Sequence, residues 1–174
     1  MMKLKVYIAG KVSPDSVFGT HEWRDGFCRE LSRLTGFDIV NLDPARKEED
    51  ENDSMLIFGR DCFMIREADI VIVNLTDDIS VGGSQEMLIA KYYRKPLVGV
   101  APKGGKFSKE EKEILGKKYK DWMHPFVAVP CDKVVANMEG LAGFVKEFFS
   151  QPGRKVKGLS VLDEALEYYA GKKR

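Results

Sequence analysis

The stretch Ala68–Val100, ADIVIVNLTDDISVGGSQEMLIAKYYRKPLVGV, decides the fold. Ile70, Val71, Ile72 and Val73 run without polar alternation, the pattern of a strand covered on both faces in a parallel sheet. A polar loop, Asn74–Gly83, follows, and a helix is predicted to begin near Ser84 with Glu86 in its first turn. Pro96 ends the helical region, and Leu97–Val100 supplies the next buried strand. The unit is βαβ. In open α/β sheets such a strand-to-helix loop forms the ligand crevice at the carboxyl ends of the strands.

Upstream, Lys3–Ala9 reads as a first strand and Gly10–Thr20 as a loop of turn formers. Trp23, Phe27, Leu31 and Leu34 recur at helical spacing, Gly36 stops that helix, and Phe37–Leu42 reads as the second strand before Asp43-Pro44. Arg46–Asp53 is almost wholly charged and reads as a solvated loop, and Ser54–Ala68 reads as helix. Downstream, Pro102–Ser108 reads as a loop. Ser108 with the acidic residues after it predicts a helix start. Phe126–Val129 is expected to be the fifth strand and Asn137–Phe149 a helix. Strands alternating with helices predict a doubly wound parallel sheet of about five strands in three layers. Residues 1–150 are expected to form a single α/β domain. Residues 151–174 are expected to add a basic linker, Gln151–Gly158, and a short helix, Ser160–Tyr169, with Leu162, Leu166 and Tyr169 on one face.

The chain has 174 residues and a formal net charge of +1, with 28 basic and 27 acidic residues. That balance supplies no global field for a nucleic acid polymer or an anionic membrane. No apolar run approaches the roughly 20 residues of a membrane helix. Cys28, Cys62 and Cys131 lie far apart without metal-type spacing, which favours reduced thiols and a cytoplasmic location. His21 and His124 are isolated, so no metal site and no cofactor is expected. The glycine pair Gly82-Gly83 matches neither GxxxxGK[ST] nor GxGxxG, and Ser84 has no nearby histidine partner.

Glu86 is the first candidate for chemistry. The amides at a helix start favour its anion, and an ionised carboxylate at a crevice mouth is a nucleophile or a base. Gly82 and Gly83 let the backbone approach a ligand closely, and their amides with those of Ser84 and Gln85 suit an anion-binding nest. The same residues also suit an ordinary helix start. Tyr7 reads equally as a core aromatic, Asp61 as a surface helix charge, and Asp43 as the cap of the turn at Pro44.

Taken in order, VYIAG (Val6–Gly10), GRDCFMIREADIVIVNL (Gly59–Leu75) and SVGGSQEMLIAKYYRKPLV (Ser80–Val98) resemble the nucleoside 2-deoxyribosyltransferase family and its nucleotide N-glycosidase relatives. The resemblance implies a flavodoxin-like fold and transfer or hydrolysis at an N-glycosidic bond. It gives Glu86 the role of nucleophile at the anomeric carbon and Asp61 that of the carboxylate assisting the departing base. Tyr7 is then the hydroxyl that orients Glu86. Gly10, Ser13, Asp43, Ser80, Gly82, Gly83 and Ser84 become substrate-binding candidates. Ser80, six residues before Glu86, stands where many transferases carry an aspartate for the sugar 5′-hydroxyl. A serine there is similar to the nucleotide hydrolases and admits a 5′-monophosphate. The loop KVSPDS lacks the serine-arginine pattern of those hydrolases, though Lys11 and Ser13 are substitutes. The resemblance also implies a homodimer or higher homo-oligomer, with Lys118, Trp122 and His124 as candidates for completing a neighbour's pocket.

The leading expectation is an enzyme acting on a 2′-deoxyribonucleoside or its 5′-monophosphate, with a nucleobase as possible acceptor. Transferase is placed first and hydrolase second. The rival from another class is a nucleotide-binding module without catalysis, since a doubly wound fold alone does not fix function. The two differ in geometry: an enzyme of this kind needs Tyr7, Asp61 and Glu86 to converge on one crevice.

Overall fold

Strand β3 (Ile70–Asn74) lies at the centre of a five-stranded sheet, and every one of its residues is buried. The computed structural model describes residues 2–10, 23–44, 49–50, 52–151 and 153–173. The expected loop Gly10–Thr20, with Lys11 and Ser13, lies outside the described residues beyond Gly10, as do His21 and most of the first half of the charged run Arg46–Asp53. β1 (Lys3–Ala9) pairs in parallel with β3 on one side and with β2 (Asp38–Asn41) on the other. β4 (Leu97–Val100) pairs in parallel with the opposite side of β3 and then with a three-residue edge strand, Lys133–Val135. The order 2-1-3-4 followed by that last strand is the flavodoxin-like doubly wound arrangement, with its switch point between β1 and β3.

Period-2 alternation along β1 divides the core. Tyr7 and Ala9, with Val71 and Val73, face α2 (Ser54–Glu67) and α3 (Val81–Tyr92) and pack on Met64, Ile65, Met87 and Ala90. Val6 and Ile8, with Ile70 and Ile72, face the opposite layer. There α1 (Trp23–Thr35) inserts Trp23, Phe27 and Leu31, and a later helix, Met138–Ser150, inserts Leu141, Ala142 and Val145. Tyr7, Asp61 on α2 and Glu86 on α3 therefore belong to one side of the sheet.

Three sequence expectations require correction. The helix expected after Ser108 is an antiparallel hairpin, β5 (Ser108–Ile114) and β6 (Lys117–Met123). Its two-residue turn holds Leu115 at φ 49° and Gly116 at φ 75°, the pair of positive values that matches hairpin twist. The fifth strand is not Phe126–Val129. That segment is mostly α4 (Pro125–Ala128), nucleated by a proline at its first position, and of its three residues after Pro125 only Val127 is buried. The sheet's last strand is β7, the Lys133–Val135 edge strand, and α5 is the helix Met138–Ser150. Finally, α3 starts at Val81, not near Ser84, because the Ser80 side chain accepts from the Gly83 amide at 3.0 Å and caps the helix three residues earlier.

After α5 the chain returns to the body. Asp132 accepts from the Lys157 amide at 2.7 Å, and Lys157 Nζ donates to the carbonyls of Val129 and Cys131. The last helix, α6 (Ser160–Lys173), runs past the expected Tyr169, buries Val161, and leaves Leu162, Leu166 and Tyr169 exposed. No helix of the described residues is long and apolar enough to cross a membrane.

Candidate active site

The Tyr7 hydroxyl, 1% exposed as a residue, donates to Glu86 Oε1 at 2.9 Å. Parallel pairing makes this contact available. Tyr7 lies beside Val71 in the register, and the loop that leaves β3 turns straight into α3 over the same face. Burial, then the charges of Glu86 and Asp61, drive the Tyr7 phenol far above its ordinary range, so it is a permanent donor. Glu86 is partly buried, and burial raises its carboxyl above the usual carboxylate range; the Tyr7 hydrogen bond opposes that rise, Asp61 adds to it and Arg24 opposes it. This corrects the sequence reading in one respect. Glu86 lies in the second turn of α3, where the first turn carries no acidic residue, so the helix end is not what sets its charge.

Asp61 accepts from Arg60 Nε at 2.9 Å, and its side chain is 23% exposed. Its charge acts on both Tyr7 and Glu86, from the same side of the sheet. Ser80 is brought to the same place: a Cβ added to Gly82 would meet Glu86 Oε1 at 3.8 Å and Ser80 Oγ at 3.9 Å. Gly83 is packed more tightly, with Ile79 Cγ1 at 3.0 Å and Ser80 Oγ at 3.3 Å from a Cβ position. The amides of Gly83 and Ser84 bond to Ser80 Oγ and to its carbonyl, so the expected nest is partly taken up by the helix cap. Ser84 itself is exposed and donates to the Val81 carbonyl at 2.7 Å. Cys62, half-buried beside Asp61, has its thiol pushed up by burial and by both carboxylates.

Gly10 and Asp43 are held by other residues, Trp23 and Arg24. Gly10 is buried against the Trp23 ring, which leaves 3.1 Å to a Cβ position. Asp43 is 6% exposed and lies 3.7 Å from Arg24 Nη1. Arg24 was missed in the sequence, and a signal was there. With Phe27 and Cys28 three and four residues on, it stands on the apolar stripe of α1, where a charge is buried and requires a partner.

No protein-family model and no curated protein matches the sequence. Among solved structures, the chain has the fold of 2-deoxyribosyltransferases. The enzyme from Bacillus psychrosaccharolyticus aligns at TM-score 0.53 and 15% identity, over 88% of this chain and 98% of that one. The Leishmania mexicana 2-desoxiribosyltransferase aligns at TM-score 0.53 and 19% identity, over 82% and 97%. A conserved protein from Enterococcus faecalis V583 aligns at TM-score 0.61 and 17% identity, over 85% and 99%. At these identities the likeness is one of fold, and the resemblance carried by the three sequence motifs holds at that level.

Proposed function

We propose that this protein is an enzyme that cleaves the N-glycosidic bond of a 2′-deoxyribonucleoside or its 5′-monophosphate through a glycosyl–Glu86 ester. The observation that supports it best is the 2.9 Å hydrogen bond from Tyr7 to Glu86, with the charge of Asp61 acting on both. Glu86 attacks C1′ as the C–N bond breaks with oxocarbenium character, which an adjacent carboxylate stabilises and traps. The electron pair of that bond leaves with the base, and Asp61 in its acid form hydrogen-bonds to it and gives up its proton. Tyr7 holds the carboxylate in line. A second nucleobase then attacks C1′, gives its proton to Asp61 and frees Glu86; water in the same role gives hydrolysis. Two displacements retain the anomeric configuration. Ser80 faces the sugar 5′ end, its hydroxyl proton still available while its oxygen caps α3.

Transfer is the first reading and hydrolysis the second. Deoxyinosine and dIMP, each with and without adenine, distinguish them: exchange only with acceptor means transfer, and base release without acceptor means hydrolysis. Tight nucleotide binding with neither outcome would replace the enzyme by a non-catalytic binding module.

A further inference from the structure

Behind the strand that carries Tyr7, α1 places a cation that the mechanism above does not use. Arg24 is 4% exposed. Its Nε donates to the Ile8 carbonyl at 3.1 Å and its Nη2 to the Gly10 carbonyl at 3.3 Å. Nη1 lies 3.7 Å from Asp43 Oδ1, and the two side chains are 5% and 2% exposed. The guanidinium stands 4.7 Å from the Trp23 ring centroid, and that same ring closes over Gly10. The carboxyl end of β1, from Ile8 to Gly10, is thus held by a fork from one side and a ring from the other.

Stability alone is a poor reason for such a pair. Desolvating two charges offsets much of their attraction, and apolar replacements of buried ion pairs are often equally stable. Position is a better reason. The clamped carbonyls begin one residue after Tyr7, at the switch point where the crevice opens. Two carbonyls two residues apart also demand the guanidinium's rigid fork, which an ammonium does not reproduce.

We propose that Arg24 and Asp43 form a positioning pair for the site: the Arg24 fork fixes the Ile8–Gly10 backbone and so sets the Tyr7 hydroxyl against Glu86, while Asp43 acts through Arg24 and touches no substrate. Its catalytic meaning rests on the proposed function; its structural meaning does not. Among the described residues, the groups that act on Glu86 are Tyr7 from β1, Asp61 from α2 and Arg24 from α1, with Asp43 behind Arg24. Within that set Arg24 is the positive charge that favours the Glu86 anion against burial and Asp61. Removing the Arg24 charge and removing its counter-charge therefore separate the Glu86 titrations, Arg24→Met above Asp43→Asn, which loosened packing alone would not do.

The test follows the Glu86 carboxyl by carbon-13 NMR titration, assigned with Glu86→Gln, alongside initial rates of base release. Arg24→Met, which loses charge and fork together, is expected to give the highest midpoint of the variants and Asp43→Asn, which keeps the Arg24 charge, the lowest. Arg24→Lys keeps the charge and loses the fork, so the Tyr7–Glu86 bond loosens, the midpoint lies between those two, and kcat falls about tenfold at unchanged KM. Any other ordering of the three midpoints, or an Arg24→Lys enzyme with wild-type kcat, overturns the proposal. Should Arg24→Met fail to fold, Asp43→Asn and Arg24→Lys supply the same two arms. A wild-type protein that releases no base overturns the proposed function instead, and the titrations still decide the clamp.

Discussion

Tyr7 and Glu86 stand 79 positions apart in the chain and are joined by one 2.9 Å hydrogen bond between β1 and α3. The phenol is held protonated by burial and by two neighbouring carboxylates, so the bond has one direction, tyrosine to glutamate. Glu86 is pulled both ways, towards the neutral acid by burial and towards the anion by Tyr7 and Arg24. On the proposed mechanism, a partly buried carboxylate that must ionise to react is a site where stability and activity oppose each other.

Glu86→Gln separates those two quantities. On the proposed mechanism the amide oxygen still accepts from Tyr7 while nucleophilicity is gone, so base release should fall at least about a thousandfold. Stability moves the other way. A carboxyl raised in the folded state contributes stability at acid pH and loses it as pH rises through the folded value, because the native state binds the proton more tightly. The Gln variant, a permanent mimic of the neutral acid, should therefore melt above wild type at neutral pH, and the gap should close in acid. Thermal melts across that range decide it; a Gln variant that melts below wild type at neutral pH contradicts the assignment.

Tyr7→Phe removes the hydrogen bond that holds the Glu86 carboxyl down. A hydrogen bond to a charged group is worth about 1.5–3 kcal/mol, so kcat should fall about tenfold to a hundredfold. The acidic limb of the pH–rate profile should also move to higher pH, since Glu86 then ionises less readily. The profile is the discriminating measurement: a lower rate with an unmoved limb would make Tyr7 a packing residue.

The βαβ core was readable because its signals are long and apolar. Ile70–Val73 and Leu97–Val100 admit few alternatives to buried parallel strands, and the Trp23–Leu31 stripe admits few to an amphipathic helix. What was misread depends on tertiary context. Lys109–Glu113 reads as a charged helix because nothing local reveals the Leu115-Gly116 turn that folds it back as a strand. β7 has three residues and α4 has four, too short for any period to register. Tyr7 and Asp61 were each bland until their order with Glu86, the first candidate, was taken together. Asp43 was read alone and Arg24 not at all, since their pairing crosses from α1 to the end of β2 and exists only in three dimensions.

Asp132 makes a claim about the fold rather than the chemistry. It accepts from Lys91 Nζ and from the amides of Leu97 and Lys157, and the Lys91 side chain is wholly buried. Burial pushes the Lys91 ammonium down while Asp132 holds it up. Asp132→Ala leaves a buried cation and two amides without their acceptor, so unfolding free energy should drop by about 3–5 kcal/mol. Amide exchange at Lys157–Leu162 should accelerate beyond that global loss, because the same substitution releases the return of the chain towards α6. Denaturant melts read the first effect and hydrogen exchange the second; a variant within about 1 kcal/mol of wild type would show that the network is dispensable.

Leu115 sits at φ 49° in the β5–β6 turn and is 99% exposed, so it is strained and buries nothing in return. A branched apolar residue is a poor occupant of the left-handed region, whereas asparagine tolerates it and is favoured with glycine in this kind of turn. Leu115→Asn should stabilise the hairpin by about 0.5–1 kcal/mol. The global melt is the wrong readout, because the two strands pack chiefly on each other and are expected to open locally. Amide protection along Lys109–Trp122 should instead rise severalfold while protection in β1 and β3 stays constant. Protection that falls in the hairpin would mean that the exposed Leu115 side chain holds the arm against another surface, and the gain in turn geometry would then be outweighed by that lost contact.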